Sequence, residues 1–344
     1  MSFRVVLAGC GAMSKGWLKA LRDTPALNGQ VEIVGLVDLN PAAAVGLQAE
    51  FALSSAITGT DLGAVLDATK PDIVFDVVIP GGRHSVVKTA LAHGCHVLSE
   101  KPMAASQDEA RDLVAAAKSA GRIHAIVQNR RYNDGIRRIR ATLDSGMLGT
   151  LNAIHCDFFV GAHFGGFRED MDHVLLVDMA IHTLDAARYL AGRDPTAVYC
   201  LEGNPRSSWY RHGSVANAIF EFGPELIFTY RGSWSAEGAN TSWDSDWRLV
   251  GSKGTLLWDG EGGFELNLVA GSEGFFRPLE PAAVAQPHDQ QQTLGHASVL
   301  IEFLDALRTG RAPETVSSDN FKSLAMVFAA IESAGRRERV AISL

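Results

Sequence analysis

The first third of the chain alternates short, continuously apolar runs with segments of helical pattern, and this alternation limits the possible folds most strongly. Continuous runs rich in β-branched residues predict strands that are buried on both faces, as in parallel sheets covered by helices. The predicted strands are residues 3–8, 31–38, 73–79, 96–98 and 123–128. Strands separated by helices in this way predict an α/β fold with an N-terminal, doubly wound parallel sheet of the Rossmann type.

The pattern changes after residue 129. A predicted strand at 151–160 and helix at 177–190 are followed by consecutive strand patterns from 197 to 268. Consecutive strands with Gly, Pro and Asn turns between them are typical of antiparallel sheets. The sequence therefore predicts two domains, 1–129 and 130–344, the second an α+β domain with a large open, mostly antiparallel sheet. Helices are predicted at 293–308 and 319–336, and a loop at 278–289.

Charge and composition argue against several classes of function. The net charge is -8 without a Lys/Arg-rich run, whereas a nucleic-acid-binding protein needs a basic surface. No apolar stretch approaches the roughly 20 residues needed to cross a membrane, and the N-terminus lacks a signal-peptide pattern. The scattered cysteines predict reduced, buried thiols and a cytoplasmic location. They are Cys10, Cys95, Cys156 and Cys200.

A glycine-containing turn follows the first predicted strand and opens the first predicted helix. Glycines here let the chain turn tightly and bring backbone N–H groups close to a pyrophosphate, which the helix N-terminus also attracts. The third glycine position of the usual motif holds Ser14, another small residue. The predicted cofactor-binding residues of the turn are Gly9, Cys10, Gly11, Ala12 and Met13.

The second predicted strand ends at Asp38, where a carboxylate can accept hydrogen bonds from the ribose hydroxyls of an adenosine. The next residues, Leu39 and Asn40, carry no positive charge that would pair with a ribose 2′-phosphate. We therefore expect NAD as the cofactor in preference to NADP. The alternative is an ordinary glycine turn beside a surface aspartate, which the strand–turn–helix–strand context disfavours.

Further motifs follow in a characteristic order, and together they resemble the Gfo/Idh/MocA oxidoreductase family over nearly the whole chain. This family includes glucose–fructose oxidoreductase and inositol dehydrogenase. The similarity includes the segment ALAHGCHVLSEKPMA, a DxxxH motif and a GSKGTL turn at 251–256. The residues that carry it are Pro80, His84, Glu100, Lys101, Pro102, Asp178 and His182.

The resemblance implies an NAD(P)-dependent oxidoreductase that transfers a hydride between nicotinamide and a hydroxyl or carbonyl group of a sugar, polyol or related small molecule. It implies that Lys101 contacts the reacting hydroxyl and that His182 exchanges its proton. It also implies a homo-oligomer, a dimer or tetramer, formed through the open sheet of the second domain. The chain has Asp172-His173 where many members have Gly-Gly, which leaves the identity of the substrate open.

The predicted catalytic residues suit the chemistry of alcohol oxidation, in which oxygen loses a proton while carbon loses a hydride. Histidine suits the proton step because its unperturbed pKa is roughly 6.5. Asp178 lies four residues before His182, so on a helix its carboxylate can orient the imidazole and favour the protonated form. Lys101 can stabilise charge that develops on the alcohol oxygen.

Each of these residues also has a plainer interpretation. Asp178 and His182 can form one hydrogen-bonded pair on a helix, or with further ligands a metal site. A nicotinamide reaction needs no Lewis acid, so no metal is predicted. Lys101 can be a solvated loop lysine, although its place after a parallel strand disfavours this. Asp185 extends the same helix face and can pair with Arg188.

Other candidates are less specific. Glu100 can orient the lysine or lie against the cofactor. Pro80 and His84 are expected cofactor neighbours, and a helix-end histidine without function is the alternative for His84. Arg168 lies in the glycine-rich segment GAHFGGFRED, which suits a lid or a substrate wall, and it is expected to bind substrate.

Arg130 and Arg131 follow the last predicted strand of the first domain and can reach a ligand or form surface or interdomain pairs. The second domain is rich in tryptophan, whose indole can stack on a sugar face. One or two of these indoles are expected to touch substrate, while a core or subunit-interface role is the alternative for the others. They are Trp209, Trp234, Trp243, Trp247 and Trp258.

Two other functions fit the same motifs. An NAD-dependent glycosidase would oxidise a sugar hydroxyl transiently, eliminate the aglycone and reduce the sugar again, so that no NADH accumulates. A non-catalytic NAD- or sugar-sensing protein would bind the cofactor without turnover and would tolerate the loss of Lys101 or His182.

Overall fold

The computed structural model describes residues 2–344, and its first unit contains a six-stranded sheet in which all paired strands are parallel. The strands are β1 (Phe3–Ala8), β2 (Val31–Val37), β3 (Ile57–Gly59), β4 (Ile73–Asp76), β5 (His96–Ser99) and β6 (His124–Ile126). Their order is β3-β2-β1-β4-β5-β6. The order reverses between β1 and β4, which is the point at which doubly wound sheets bind their ligands. The predicted Rossmann-type sheet is confirmed.

The helices that connect these strands are α1 (Ala12–Asp23), α2 (Pro41–Glu50), α3 (Leu62–Thr69), α4 (Pro80–Ala92) and α5 (Gln107–Ala120). Side chains of Asn40, Asp61 and Ser106 cap the first turns of α2, α3 and α5 by accepting from backbone N–H groups. The strand predicted at 73–79 ends at Asp76, because Pro80 begins α4 and 77–79 form the connection. No hydrophobic pattern indicated β3, whose three residues include the exposed Ile57.

The second unit contains a nine-stranded sheet in the order β14-β13-β12-β11-β7-β10-β9-β8-β15. Its strands are β7 (Leu151–Phe159), β8 (Ala197–Gly203), β9 (Val215–Glu221), β10 (Ile227–Ser233), β11 (Asp246–Gly251), β12 (Gly254–Trp258), β13 (Phe264–Val269), β14 (Leu279–Ala282) and β15 (Val340–Ala341). Every pairing is antiparallel except that of β7 with β10, so the predicted mostly antiparallel sheet is confirmed.

The helices of the rest of the chain are α6 (Asp134–Asp144), α7 (Ile181–Ala191), α8 (His296–Thr309) and α9 (Ser317–Arg336). Along β7, the side chains of Ile154, Cys156 and Phe158 are buried, while the alternate residues are half-exposed. The sheet therefore has one core face and one outer face. All four cysteines are free and buried, as predicted.

Three predicted segments differ from the structure. Leu294–Phe321 belongs to the first unit and not to a continuous 130–344 domain, and its Val316 forms a bridge with Ala125 of β6. The loop predicted at 278–289 contains β14, which completes a hairpin with β13. The helix predicted at 177–190 begins with a π-helical segment, Leu175–Ala180, and continues as α7. Across residues 2–344, no helix combines the length and apolarity that a membrane span requires.

Candidate active site

Gly9 occupies a position that only glycine fits. Its φ is +92°, and a Cβ placed there would lie 2.6 Å from the carbonyl carbon of Val77. The backbone N–H of Gly9 donates to Val37 O over 2.8 Å, so the turn after β1 is fixed against its neighbouring strand β2. The glycine predicted from sequence therefore has both a conformational and a steric reason.

The carboxylate of Asp38 is oriented by two backbone donors. Its Oδ2 accepts from the N–H of Cys10 over 2.7 Å, and its Oδ1 accepts from the N–H of Asn40 over 2.8 Å. Asp38 thus lies directly against the glycine-containing turn. Each oxygen keeps a further lone pair, which suits the two hydroxyls of an adenosine ribose.

The N-terminus of α1 suits a pyrophosphate. No side chain caps its first turn, Gly11 has open space where a Cβ would be, and the first turn contains no acidic residue. Ser14 is fully buried and donates to Gly11 O, so a serine fits the third glycine position of the motif. Uncapped N–H groups and the helix dipole attract a phosphate. The glycine-containing turn, Asp38 and α1 together fit a bound NAD.

Lys101 follows β5, and the residues on either side of it are held by α1 and α4. Glu100 is buried, and its carboxylate accepts from Trp17 Nε1 over 2.7 Å and from the N–H of Lys101 over 3.2 Å. The peptide bond between Lys101 and Pro102 is cis. The guanidinium of Arg83, from α4, donates to Pro102 O and to Val78 O.

Arg83 also belongs to a buried polar chain beneath this turn. Its Nε donates to Asp76 Oδ2 over 2.8 Å, and both side chains are at most 1% exposed. Ser99 contacts Asp76, and its Oγ lies 3.0 Å from His124 Nε2. Burial lowers the pKa of His124 to about 3, so this imidazole is neutral. This polar chain was not predicted, because Gly-Gly-Arg in a helix start carries no recognisable signal.

Pro80 begins α4, and His84 lies one turn further along the helix. His84 Nε2 lies 2.7 Å from Asp112 Oδ2 of α5, and Lys88 Nζ lies 2.8 Å from the same oxygen. The Asp112 pKa is lowered by its hydrogen bonds to Lys88 and His84. This interaction links α4 to α5 through His84, whose contact with the cofactor stays a prediction.

In the second unit, Asp178 lies in the π-helical segment and His182 in the first turn of α7. Asp178 Oδ2 accepts from Arg168 Nε over 2.7 Å. The Arg168 guanidinium lies over the rings of Phe164 and Phe167, 5.1 and 4.9 Å from their centroids. The structure therefore brings Arg168 to Asp178, two residues that were predicted separately. Single π-helical turns often occur at functional sites.

His182 lines a small cleft together with residues of the segment before α6 and of the segment before β11. Arg130, from the first of these segments, donates to Trp243 O over 2.7 Å and forms an ion pair with Asp244. Burial lowers the pKa of Arg130 to about 10. Other lining residues include Asn133, Met179, Thr183, Ser245 and Trp247.

Asp185 lies close enough to Arg188 for the charge of that guanidinium to help lower its pKa, in line with the pairing that the sequence allows. It forms a two-pronged ion pair with Arg131, at 2.9 and 2.6 Å, and accepts from Ser323 Oγ over 2.6 Å. Arg188 also pairs with Asp194 at 3.0 Å. Burial alone would raise the pKa of Asp185, but the charge and hydrogen bonds of Arg131 hold it below its ordinary value. This network ties α7 to α9 and to the segment before α6.

Asp172 and His173 stand where many members of the family have Gly-Gly, and they lie just before the π-helical segment. His173 has a φ of +52°, and its Nδ1 lies 2.5 Å from Glu202 Oε2 of β8. This bond raises the His173 pKa above its ordinary value. Asp172 lies 3.4 Å from His212. Across residues 2–344, no group of three or more His, Cys, Asp or Glu side chains is arranged to hold a metal ion.

Two family models match this chain. A model described as an oxidoreductase family with an NAD-binding Rossmann fold matches residues 3–128, and one described as the GFO/IDH/MocA C-terminal domain matches residues 136–257. The first unit is therefore the NAD-binding Rossmann domain of an oxidoreductase. The chain belongs to the Gfo/Idh/MocA family, as the motifs predicted.

Relatives and solved structures match along almost the whole chain. The uncharacterized protein y4oX of Sinorhizobium fredii is 27% identical over 352 residues, covering 97% of this chain and 94% of that protein. D-apiose dehydrogenase of Paraburkholderia graminis is 26% identical over 341 residues, covering 96% and 88%. An oxidoreductase from Agrobacterium radiobacter, solved with NAD+, L-tartaric acid and magnesium, has a TM-score of 0.86 at 20% identity and 99% coverage of both chains.

Proposed function

We propose that this protein is an NAD-dependent dehydrogenase or reductase that acts on a hydroxyl-bearing carbon of a sugar or polyol. The observation that carries the proposal is the combination of an NAD-binding Rossmann domain with both family motifs, EKP after β5 and DxxxH across the start of α7. D-apiose dehydrogenase, which is similar to this chain over 88% of its own length, is named for the oxidation of a sugar.

Each proposed role follows from a side chain's chemistry. His182 takes the proton of the substrate hydroxyl and returns it in the reverse direction. The Lys101 ammonium donates to the same oxygen and stabilises its developing charge. Asp178, whose carboxylate is held by Arg168, favours the protonated form of the imidazole. NAD, when bound, supplies the ring that accepts or gives the hydride.

The experiment is a panel of sugars and polyols incubated with NAD and purified protein, with NADH absorbance as the readout. Lys101→Ala and His182→Ala should each lower turnover about 100-fold or more, a size typical of positioned acid–base groups. Lys118→Ala and His288→Ala, both at exposed positions, are matched controls and should retain wild-type turnover. Wild-type activity in both catalytic variants would refute the assigned roles.

The same panel separates the alternative functions. An NAD-dependent glycosidase would cleave an aryl glycoside without accumulating NADH, whereas a dehydrogenase forms NADH in proportion to product. A sensing protein would bind NADH and enhance the fluorescence of the bound NADH, but it would turn over none of the sugars and polyols in the panel.

We also propose that the protein is a homo-oligomer, a dimer or tetramer, and that the outer face of the nine-stranded sheet forms its interface. Tyr199, Leu201 and Ile219 are 39–51% exposed on neighbouring strands of this face. A groove of about 820 Å³ lies further across the sheet, beside the paired Asp157 and Arg231. Ile219→Asp should lower the mass measured by light scattering, and an unchanged mass would contradict this interface.

A cytoplasmic location is the remaining part of the proposal. Free thiols at all four cysteines fit a reducing compartment. Cell fractionation tests it, and recovery of the protein outside the cytoplasm would contradict it.

A further inference from the structure

Trp243 differs from the buried tryptophans of this chain in its exposure. The residue is 47% exposed, whereas Trp17, Trp234, Trp247 and Trp258 are at most 3% exposed. A half-exposed tryptophan leaves apolar surface in water that a ligand can cover. Trp243 is therefore the tryptophan best placed to meet a small molecule.

The remaining tryptophan, Trp209, uses its ring and its N–H for contacts within the protein. Its ring stacks on His163 with centroids 3.7 Å apart, and its Nε1 donates to Ala162 O over 3.1 Å. A ligand would have to displace His163 to use this face of the indole. Trp209 is thus a less suitable stacking surface than Trp243.

Contacts on several sides hold Trp243 in place without covering it. The ring centroids of Phe158 and Phe164 lie 6.3 and 6.1 Å from that of Trp243. Arg130 Nη1 donates to the backbone oxygen of Trp243 over 2.7 Å. An aromatic surface that is fixed before binding costs little conformational entropy when a ligand stacks on it.

Trp243 also lies beside the proposed proton-exchanging group. It lines the same small cleft as His182, within the second unit. The indole therefore borders the place where the proposed function puts the reacting hydroxyl of the substrate. This placement of the substrate rests on the function proposed above.

We propose that Trp243 is the surface on which the ring of the substrate stacks, and that it makes the enzyme selective for cyclic over open-chain polyols. The axial C–H groups of a six-membered polyol ring form a flat apolar face that an indole can cover. An open-chain polyol presents such a face only after several of its bonds lose rotation, which costs conformational entropy.

The test compares Trp243→Ala and Trp243→Phe with wild type, using myo-inositol and glucose as ring compounds and sorbitol and mannitol as open-chain compounds. Trp243→Ala should lower kcat/KM for the preferred ring compound about tenfold, and Trp243→Phe should lower the same kcat/KM much less. The loss should appear in KM with kcat little changed, because stacking is equal in the ground state and the transition state. Phe276→Ala, at an 84% exposed aromatic in the β13–β14 connection, is the matched control.

A second measurement does not depend on turnover. Calorimetry with the NADH-loaded protein should show ring-compound binding that is weakened about tenfold in Trp243→Ala while NADH affinity is unchanged. A preference of wild type for open-chain compounds, or equal ring binding in wild type and Trp243→Ala, overturns the proposal. If no compound is turned over, the proposed function fails, and calorimetry still decides the role of Trp243: absence of ring binding to wild type also overturns it.

Discussion

The Nε of Arg83 lies 2.8 Å from Asp76 Oδ2, and both side chains are almost completely shielded from water. The same guanidinium donates to the carbonyl oxygen of Pro102, next to Lys101. A charge pair at the end of β4 therefore supports the turn that carries the proposed catalytic lysine. Because the pair is buried, losing one partner leaves the other charge uncompensated.

Arg83→Met should lower the free energy of unfolding by about 3–5 kcal/mol, as measured by urea denaturation, because it strands the Asp76 carboxylate. The double variant Asp76→Leu/Arg83→Met should lose clearly less unfolding free energy than the single variants Asp76→Leu and Arg83→Met lose together. Arg111→Gln, which breaks an exposed pair with Asp108, is the control and should change stability by about 1 kcal/mol or less. Additive losses in the double variant would show that the two residues are not coupled.

Gly9→Ala should prevent NAD binding and destabilise the Rossmann domain by about 1–3 kcal/mol, because φ is +92° and the new Cβ would meet Val77. Thermal unfolding with and without NADH measures both effects. Gly46→Ala is a matched control, since Gly46 lies within α2 and has open space where a Cβ would be added. It should stabilise the helix by about 0.5–1 kcal/mol and leave NADH binding intact. Normal NADH binding by Gly9→Ala would contradict the steric role of this glycine.

Asp38→Ala should weaken NAD binding about tenfold or more, because the ribose hydroxyls lose a charged acceptor. Asp38→Ser combined with Leu39→Arg should shift the preference toward NADP, since a cation replaces the anion near a 2′-phosphate. Fluorescence titration with NADH and NADPH gives both dissociation constants. Asp61→Ala removes a carboxylate that caps α3 and should leave both constants unchanged. An unaltered NADH-to-NADPH ratio in the double variant would refute the role of Asp38.

His124 should make the protein sensitive to acid. Its folded-state pKa of about 3 lies below the unfolded value of about 6.5, so the unfolded chain binds the extra proton between these pH values. Stability attributable to His124 is therefore fully present above about pH 6.5 and is lost as pH falls toward 3. His124→Gln should flatten this decline in urea unfolding across the same range, and His288→Gln should not. An equally steep decline in His124→Gln would contradict the prediction.

Local patterns made the fold around the candidate cofactor-binding residues predictable. Gly9 and Asp38 lie within one strand–turn–helix–strand unit, where hydrophobic periodicity and turn chemistry appear directly in the sequence. Lys101 could likewise be placed after a parallel strand. The Arg83–Asp76 pair could not, because it depends on where a side chain of α4 points once the sheet has formed.

Nonlocal contacts explain the other differences. Leu294–Phe321 packs with the first unit through contacts such as Val316 with Ala125, which are far apart in sequence. The π-helical segment Leu175–Ala180 has the apolar composition of an ordinary helix, so its altered hydrogen bonding has no sequence signature. Arg131 pairs with Asp185 because the segment before α6 lies against α7, a contact between residues that are far apart in sequence.

The proposed roles of Lys101 and His182 depend on hydride transfer from a sugar or polyol carbon to NAD, and isotope transfer detects that step itself. Ring and open-chain polyols that are perdeuterated on carbon are incubated with NAD and the wild-type protein, and the NADH is analysed by mass spectrometry. Direct transfer should give NADH that carries one additional deuterium, with little formed by Lys101→Ala or His182→Ala. Unlabelled NADH, or cleavage of an aryl glycoside with no NADH formed, would contradict direct hydride transfer.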